Sequence, residues 1–264
     1  MPNYRLLIEY EGTRYSGWQS QQNTSKTVQG ALGRAAEQIF GNGRLIGAGR
    51  TDAGVHAAAQ VANLTVAKSM PPLEIARKMN DLLPHDITIL SVDPAPSGFH
   101  ARHDATGRVY LYQISRRRTA FAKPFVWWIK DRLDTDAMLE AADVLRGFHD
   151  FAPFTDKRLV KESTAVAVED LQIAESGDLV LFRIRASHFL WKMVRKIVFT
   201  VAEAGRGNIP PAAVGEILDG KREPFTHSAP SSGLFLEAVL YPGDTFDRPL
   251  EPLVPVATFR RRSG

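Results

Sequence analysis

Hydrophobic residues alternate with polar ones, or recur every three to four positions, along most of this chain. In the first part, this pattern predicts a strand over 4–10, a helix over about 27–40, strands on either side of residues 48–59, a helix over 71–83 and a strand over 86–92. On the first helix Val28, Leu32 and Ile39 lie on one apolar stripe, and Gly41 stands where a C-terminal cap is expected. The predicted order is β-α-β-β-α-β.

The second part of the chain repeats that order. We predict a strand over 108–115, a helix over 135–146, a hairpin of 164–174 with 178–186, helices over 188–204 and 210–218, and a strand over 233–241. Two such units predict an α+β fold of two ferredoxin-like halves, with an antiparallel sheet and helices on one face. We place the N-terminal half at 1–104 and the C-terminal half at 105–264, with the tail from 242 as loop and a solvated basic end at 260–262.

The open face of such a sheet needs a cover or a ligand, and RNA-recognition modules of this topology stack bases there. The formal net charge is only +4, so its distribution matters more than its size. Residues 101–132 hold eight Lys or Arg against two acidic residues, and 183–200 hold five and none. Both basic segments also contain aromatic residues, which favours a nucleic-acid surface.

Several classes of chemistry are excluded or disfavoured by residues that the chain lacks. It has no cysteine, so disulfides, thiolate metal sites and cysteine nucleophiles are excluded. It has no hydrolase or nucleotide-binding motif, and His100 with His103 lacks a third metal ligand. We also expect no signal peptide and no membrane helix, and hence a cytoplasmic protein.

The candidate chemistry lies in residues 48–59, A-G-R-T-D-A-G-V-H-A-A-A, between two predicted strands. Glycines at 47, 49 and 54 allow this loop to bend tightly, and it carries Arg50, Asp52 and His56. Asp52 alone would most simply be a turn cap. The longer string G-R-T-D-A-G-V-H-A resembles the signature of the tRNA pseudouridine synthase A family, in which the aspartate is the one catalytic carboxylate.

Two further segments resemble the same family. In R-V-Y-L-Y (108–112), Tyr110 matches the tyrosine that lies against the target uridine, although ordinary cross-strand packing also explains it. In F-L-W-K-M-V-R-K-I-V (189–198), Arg195 matches an arginine that accompanies the aspartate. From the residues alone Arg195 either extends its head into water or reaches a buried acid and keeps it ionised.

The resemblance covers nearly the whole chain, through I-E-Y-E-G (8–12), G-W-Q (17–19), F-H-A-R (99–102) and G-L-F-L (233–236). There are two departures. Phe199 stands where the family commonly has glycine, and no arginine stands near Val166. These bear on helix packing and RNA contact.

The resemblance implies a synthase that isomerises uridines in the anticodon stem-loop, at tRNA positions 38–40, without cofactor or metal. Asp52 would be catalytic, Arg50 would hold the flipped base out, and Tyr110 and Arg195 would complete a basic cleft between the halves. The implied partners are tRNA and a second copy of the chain, with no membrane and no protein cofactor. Two alternatives remain open: a tandem RNA-binding module without chemistry, and a glycosidase, which normally needs two carboxylates.

Overall fold

The computed structural model describes residues 1–156 and 163–257. By its contacts the chain divides into two compact units. Unit 1 is Met1–Arg108 with Phe235–Phe246, and unit 2 is Val109–Leu234 with the chain from Asp247 onward. The C-terminal part of the sequence therefore returns to unit 1 for a short stretch. The proposed division at 104/105 stays a prediction.

Unit 1 contains two helices and a mostly antiparallel sheet. Its elements are β1 (Asn3–Tyr10), α1 (Val28–Phe40), β2 (Gly43–Gly47), β3 (His56–Val66), α2 (Pro72–Leu82), β4 (Ile87–Ala95) and β10 (Leu234–Leu240). The strand order is β4-β1-β3-β10, and β2 also pairs with β3. The pairs of β1 with β3 and β4, and of β2 with β3, are antiparallel, whereas β10 runs parallel to β3.

Local sequence explains these elements. On β1 the side chains of Tyr4, Leu6, Ile8 and Tyr10 are buried, as the alternation of residues on a strand requires. Helix α1 begins after Thr27, whose side chain accepts a hydrogen bond from the Gly30 backbone N–H. The helix ends at Gly41, where φ is 74°, so the predicted cap is confirmed.

Unit 2 contains five strands and three α-helices among the described residues. Its elements are β5 (Gly107–Ser115, which starts in unit 1), β6 (Trp127–Trp128), α3 (Thr135–Asp143), β7 (Gly147–Asp150), β8 (Ala165–Ser176), β9 (Leu179–Ala186), α4 (Met193–Gly205) and α5 (Ala213–Leu218). The strand order is β5-β9-β8-β7, with β6 parallel to β5. The predicted α+β class with mostly antiparallel pairing is confirmed.

Two sequence predictions for unit 2 were inaccurate. Helix α4 begins at Met193 rather than at 188, because Lys192 has a left-handed backbone (φ 61°, ψ 4°) that cannot continue a right-handed helix. The short strand β7 was not predicted. Its four residues, Gly147–Asp150, are too few to show an alternating pattern, and three of them are exposed.

The described part of the C-terminal tail is a loop, as predicted, and it is packed against unit 2. Leu250, Leu253 and Val256 pack against a buried cluster of unit 2 formed by Leu111, Ala122, Val126, Leu179 and Leu181. Buried Arg183 donates to the backbone oxygens of Arg248 and Pro249, both at 2.9 Å. The tail thus supplies cover for part of unit 2. The predicted basic end at 260–262 lies outside the described residues.

Candidate active site

The loop that carries Asp52 connects β2 to β3 in unit 1. The backbone N–H of Ala48 donates to the Val61 oxygen at 2.7 Å, which extends the strand pairing by one residue. A tight turn follows, in which the Val55 N–H donates to the Asp52 oxygen at 3.2 Å and Gly54 has φ 77°. A positive φ at the third turn position favours glycine there. The turn leaves Asp52 half-buried at its first position.

Backbone hydrogen bonds tie this loop to the segment that follows β1. The Trp18 N–H donates to the Thr51 oxygen at 3.0 Å, and the Gly54 N–H donates to the Tyr15 oxygen at 3.3 Å. Trp18 is almost fully buried. Asp52 therefore lies between two residues whose backbones are fixed by the neighbouring segment.

Two glycines allow that close approach. A Cβ atom at Gly12 would lie 2.0 Å from the Val55 oxygen, and one at Gly17 would lie 2.6 Å from the Thr51 oxygen. Gly17 also has φ 97°, which side-chain-bearing residues rarely adopt. The family-like strings around Gly12 and Gly17 are thus explained by the backbone that presents Asp52.

Buried polar side chains support the loop from within unit 1. The Tyr10 hydroxyl and Thr51 Oγ1 share a hydrogen bond of 2.8 Å, and Gln60 Nε2 donates to the Gly49 oxygen at 3.0 Å. Burial raises the pKa of Tyr10 to about 12, against smaller opposing effects of its hydrogen bonds with Thr51 and Gln60. The hydroxyl therefore stays protonated at neutral pH, next to the residue that precedes Asp52.

His56 holds the far end of the loop and is a structural residue that sequence reasoning did not assign. Its Nδ1 accepts the Gly12 backbone N–H at 3.0 Å, which places the imidazole proton on Nε2. The Glu11 carboxylate lies 3.5 Å from the same Nδ1, but an accepting nitrogen cannot donate to it. The ring also stacks on Phe235, with centroids 4.8 Å apart.

Arg108 holds the beginning of the loop and was likewise not assigned. Its Nη2 donates to the Ala48 oxygen and to the Arg102 oxygen, both at 3.0 Å, and its Nη1 donates to the Ala105 oxygen at 3.1 Å. The guanidinium thus joins the Asp52 loop to the chain that leads into β5. The sequence signal that could have indicated this role of Arg108 was its position in the R-V-Y-L-Y string, two residues before Tyr110.

Arg50 lies on the exposed side of the same loop. Its Nε donates to Gln19 Oε1 at 3.0 Å, and Gln19 in turn donates to Gln29 Oε1 at 2.7 Å. The G-W-Q string therefore orients Arg50. An exposed cation two residues before Asp52 is available to an approaching RNA.

Tyr110 and Tyr112 lie on β5 and are both buried in unit 2. The Phe189 ring meets Tyr110 edge to face, with centroids 5.0 Å apart and an angle of 87°. The Tyr112 hydroxyl donates to the Pro230 oxygen at 2.7 Å. Burial raises the pKa of Tyr112 well above its usual value, and the positive charge of Arg195 acts in the opposite direction.

Arg195 lies in the first turn of α4 and is half-buried. Its Nε donates to the Ala229 oxygen at 2.7 Å, while the Ala229 N–H donates to the Arg195 oxygen at 3.0 Å. This pair of bonds fixes the direction of the guanidinium. Within unit 2, the charge of Arg195 is close enough to act on the buried Tyr112 next to it.

Comparison with known proteins decides the family. A sequence profile described as tRNA pseudouridine synthase matches residues 6–104 and 141–242. A tRNA pseudouridine synthase A of Bacillus sp. (strain KSM-64) is 34% identical over 91% of this chain and 100% of its own length. That of Hyphomonas neptunium is 41% identical, covering 92% of this chain and 99% of its own. The chain belongs to the tRNA pseudouridine synthase family.

Two solved structures share a weak likeness with this family member. A structure of an H/ACA RNP bound to a substrate RNA containing 2′-deoxyuridine matches with a TM-score of 0.32 and 12% identity, over 64% of this chain and 36% of that one. Similarity at this level adds nothing to the family assignment.

The four predicted site residues of this synthase-family chain fall into two pairs. Arg50 and Asp52 share one loop of unit 1, whereas Tyr110 and Arg195 belong to unit 2, where Tyr112 lies near both. The meeting of the two pairs in one cleft stays a prediction, as do the roles of all four residues.

The basic segments of the chain offer fewer available cations than their composition suggested. Acidic residues from the β8–β9 hairpin pair with several of them: Arg116 with Glu175, Arg117 with Asp178, and Arg185 with Glu169. Arg183 is buried against the tail. The electrostatic attraction for RNA therefore rests on fewer residues than were counted.

No trio of metal-binding side chains occurs in the described ranges, 1–156 and 163–257. The rings of His100 and His103 lie 4.2 Å apart, but His100 Nδ1 accepts the N–H groups of Arg102 and His103. This geometry is a local turn. Across the same ranges, no helix has the length and apolar character needed to span a membrane.

Proposed function

We propose that this chain isomerises uridine to pseudouridine in the anticodon stem-loop of tRNA, at positions 38–40. The observation that carries the proposal is the Asp52 loop. Within a family of tRNA pseudouridine synthases, the chain presents one half-buried carboxylate on a turn that is fixed on both sides. Relatives named tRNA pseudouridine synthase A match it over nearly their whole length.

The reaction needs access to a bond that stacking hides. The C1′–N1 bond of the uridine breaks, the uracil turns, and a C1′–C5 bond forms, while C5 loses a proton and N1 gains one. The uridine must first leave the stack, at a cost of a few kcal/mol. Arg50 is exposed beside Asp52 and suits the vacated space, where it holds the base out.

Asp52 acts at the sugar or the base. A carboxylate can form and release a covalent bond, so Asp52 is either the nucleophile, at C1′ or C6, or the group that assists cleavage by deprotonating the ribose. A fixed loop favours each of these routes, because a positioned group avoids the entropic cost of finding its target. Nothing is consumed in the isomerisation, so it requires neither cofactor nor metal.

Tyr110 and Arg195 complete the site from unit 2. Tyr110 stacks on the uracil and is the candidate to take the C5 proton, with its ring held from one side by Phe189. Arg195 is the candidate cation that accompanies Asp52 when the substrate is bound, since an isolated buried carboxylate is costly. Its bond to Ala229 holds the guanidinium in place within unit 2.

The partners of the proposed reaction are tRNA and a second copy of the chain. A homodimer would allow one tRNA to contact both subunits. The activity places the protein in the cytoplasm, where its tRNA substrate is found. Because cations bind phosphates with release of counterions, affinity for tRNA should fall steeply with salt.

Product mapping tests the proposal. The chain is incubated with transcribed tRNA, pseudouridine is mapped by position, and free uracil is measured in the same samples. We expect pseudouridine in the anticodon stem-loop and no released uracil. Released uracil would identify a glycosidase instead, and salt-sensitive tRNA binding without any product would identify an RNA-binding module.

A further inference from the structure

The start of helix α4 contains an unusual backbone. Lys192 is the only non-glycine residue with a positive φ in the described part of the chain. A left-handed conformation is unfavourable for a residue with a side chain, and such outliers persist only where the surroundings impose them. The contacts of the residues around Lys192 therefore explain how this backbone conformation is stabilised.

Three charged side chains fix the turn. Asp156 accepts from Lys192 Nζ through Oδ2 and from Lys196 Nζ through Oδ1, both at 2.7 Å. Lys196 is buried and also donates to the Phe225 oxygen at 3.2 Å. Two ammonium groups against one carboxylate leave a net positive charge at this place.

The side chain presented by this turn is Trp191. Its indole is 49% exposed, although tryptophan is one of the most apolar residues of the chain. The Lys192 ammonium lies 4.7 Å from the centre of the indole ring, and Thr155 Oγ1 donates to the Trp191 oxygen at 2.9 Å. The ring is thus exposed and next to positive charge.

In sequence, Trp191 lies close to two residues that bear on the proposed site. Phe189, two residues earlier, packs against Tyr110, and Arg195 follows four residues later in the first turn of α4. Because Phe189 contacts Tyr110 and Trp191 follows it by two residues, an RNA loop that places its uridine on Tyr110 can put a neighbouring nucleotide against this turn.

We propose that Trp191 stacks on a base of the RNA substrate next to the extruded uridine, with Lys192 beside the adjoining phosphate. The inference rests on the proposed function. Unpaired RNA loops are recognised by stacking on aromatic side chains, and every base offers a face for it. Trp191 is in this account a binding residue, and it takes no part in bond breaking.

Trp128 is the matched control. It is also an exposed tryptophan of unit 2, 43% accessible, with the Arg118 guanidinium 5.9 Å from its ring. It lies on β6 opposite Ser115, the last residue of β5, five positions beyond Tyr110 on that strand. The same substitution at the two positions therefore separates stacking near the site from a general effect of aromatic surface.

The experiment measures binding of an anticodon stem-loop RNA to the full chain and to Trp191→Ala, Trp191→Phe and Trp128→Ala. Circular dichroism and thermal unfolding establish that each variant is folded. We expect Trp191→Ala to weaken binding by about tenfold, within the range of one lost stacking interaction. Trp191→Phe should stay within about threefold, and Trp128→Ala should bind as the unchanged chain does.

Intrinsic fluorescence provides a second readout. RNA should quench emission in the unchanged chain and in Trp128→Ala, and this quenching should be absent in Trp191→Phe. Equal losses of affinity at both positions, or no loss at Trp191, would overturn the proposal. Unchanged RNA affinity with a weakened dimer in Trp191→Ala would assign the ring to contact between copies.

The experiments distinguish a failure of the stacking inference from a failure of the proposed function. If the unchanged chain forms pseudouridine while Trp191→Ala binds RNA normally, only the stacking inference is wrong. If the unchanged chain forms no pseudouridine, the proposed function is wrong whatever Trp191 does.

Discussion

The Asp52 loop of unit 1 and the start of helix α4 in unit 2 hold their candidate functional residues by different means. The loop is fixed by backbone hydrogen bonds and by glycines that allow close approach. The α4 turn is fixed by side chains, namely aromatic contacts to Tyr110 and ion pairs to Asp156. Backbone support tolerates almost no change of residue, whereas side-chain support accepts replacements of similar shape and charge.

This difference explains why the first region is specific as a motif. Gly12 and Gly17 leave no room for a Cβ atom, and Gly54 has a positive φ that glycine adopts most readily, so the string around Asp52 accepts few other residues. In the second region, Trp191 and Lys192 satisfy needs that other aromatic or basic residues also satisfy. Sequence alone therefore shows the first region clearly and the second one poorly.

The largest expected effect is at Gly12. In Gly12→Ala, the new Cβ would meet the Val55 backbone oxygen at 2.0 Å, so the Asp52 turn must move. We expect the free energy of unfolding to fall by about 3 kcal/mol, at the upper end for overpacking. We expect the single-turnover isomerisation rate to fall by more than about tenfold, because small displacements of a catalytic group are costly.

Gly49→Ala is the matched control for this prediction. Gly49 belongs to the same loop but has no atom within 4 Å of its would-be Cβ. Denaturant unfolding should show a change within about 0.5 kcal/mol, as for ordinary surface substitutions. If the two alanine variants behaved alike, close backbone approach would not be what positions Asp52.

Removal of one hydroxyl at Tyr10 should have an intermediate effect. Tyr10→Phe takes away the hydrogen bond to Thr51, next to Asp52, without changing the shape of the core. We expect kcat to fall about fivefold with KM nearly unchanged, matching a lost hydrogen bond of about 1 kcal/mol. Tyr112→Phe, which removes the bond to Pro230 in unit 2, should mainly lower stability.

Alkaline pH tests the same tyrosine. The pKa of Tyr10 is raised by burial to about 12 in the folded chain, against 10.0 when unburied. Between these two values the folded chain keeps the Tyr10 proton that the unfolded chain releases. The contribution of Tyr10 to the free energy of unfolding is therefore complete below pH 10 and is lost as the pH rises towards 12. Unfolding followed between pH 9 and 12 should show a shallower loss in Tyr10→Phe, and an identical slope would contradict this assignment.

The sequence predicted those elements of the fold that depend on local patterns and missed those that depend on distant side chains. Strand and helix patterns predicted β1, α1 and the β8–β9 hairpin, since each buries one face at a regular period. The start of α4 was misplaced because the left-handed backbone at Lys192 depends on Asp156, which is distant in sequence. The packing of the tail was missed because its apolar residues follow no period and gain their burial only from the cluster in unit 2.

For the candidate site, the motif indicated Asp52 but not its supports. The roles of Tyr10, His56 and Arg108 depend on which backbone atoms their side chains reach, and no local pattern encodes such distances. The basic segments were counted correctly, but their pairing with Glu175 and Asp178 depends on how the β8–β9 hairpin packs.

The smallest expected effect is at Asp156. Hydrogen bonds from Lys192 and then Lys196 hold the pKa of this carboxyl below its usual value. A lowered pKa contributes stability that is present above the unfolded value and lost as pH falls through the folded one. In Asp156→Asn the buried Lys196 ammonium keeps the Phe225 oxygen as an acceptor, and the Asp156 side chain is 30% exposed, so we expect a loss of only about 1 kcal/mol at neutral pH.

That loss should disappear in acid. Unfolding of the asparagine variant and of the unchanged chain should converge as pH falls below about 4, where an unpaired aspartate takes up its proton. Asp219→Asn, which removes an exposed partner of Lys221, serves as a control and should change stability very little at any pH. A difference at Asp156 that persisted in acid would show that packing, rather than charge, is what the carboxyl provides.

The central claim is that Asp52, held by a backbone-fixed loop, carries out the isomerisation. The direct measurement is pseudouridine formation in a single turnover, with tRNA affinity determined on the same preparations, for the unchanged chain and for Asp52→Asn. Asparagine keeps the shape and the turn-forming ability of aspartate but cannot act as an anionic nucleophile. We predict that product falls to background while tRNA binding changes by less than about threefold, and product formation at a comparable rate in Asp52→Asn would contradict the account.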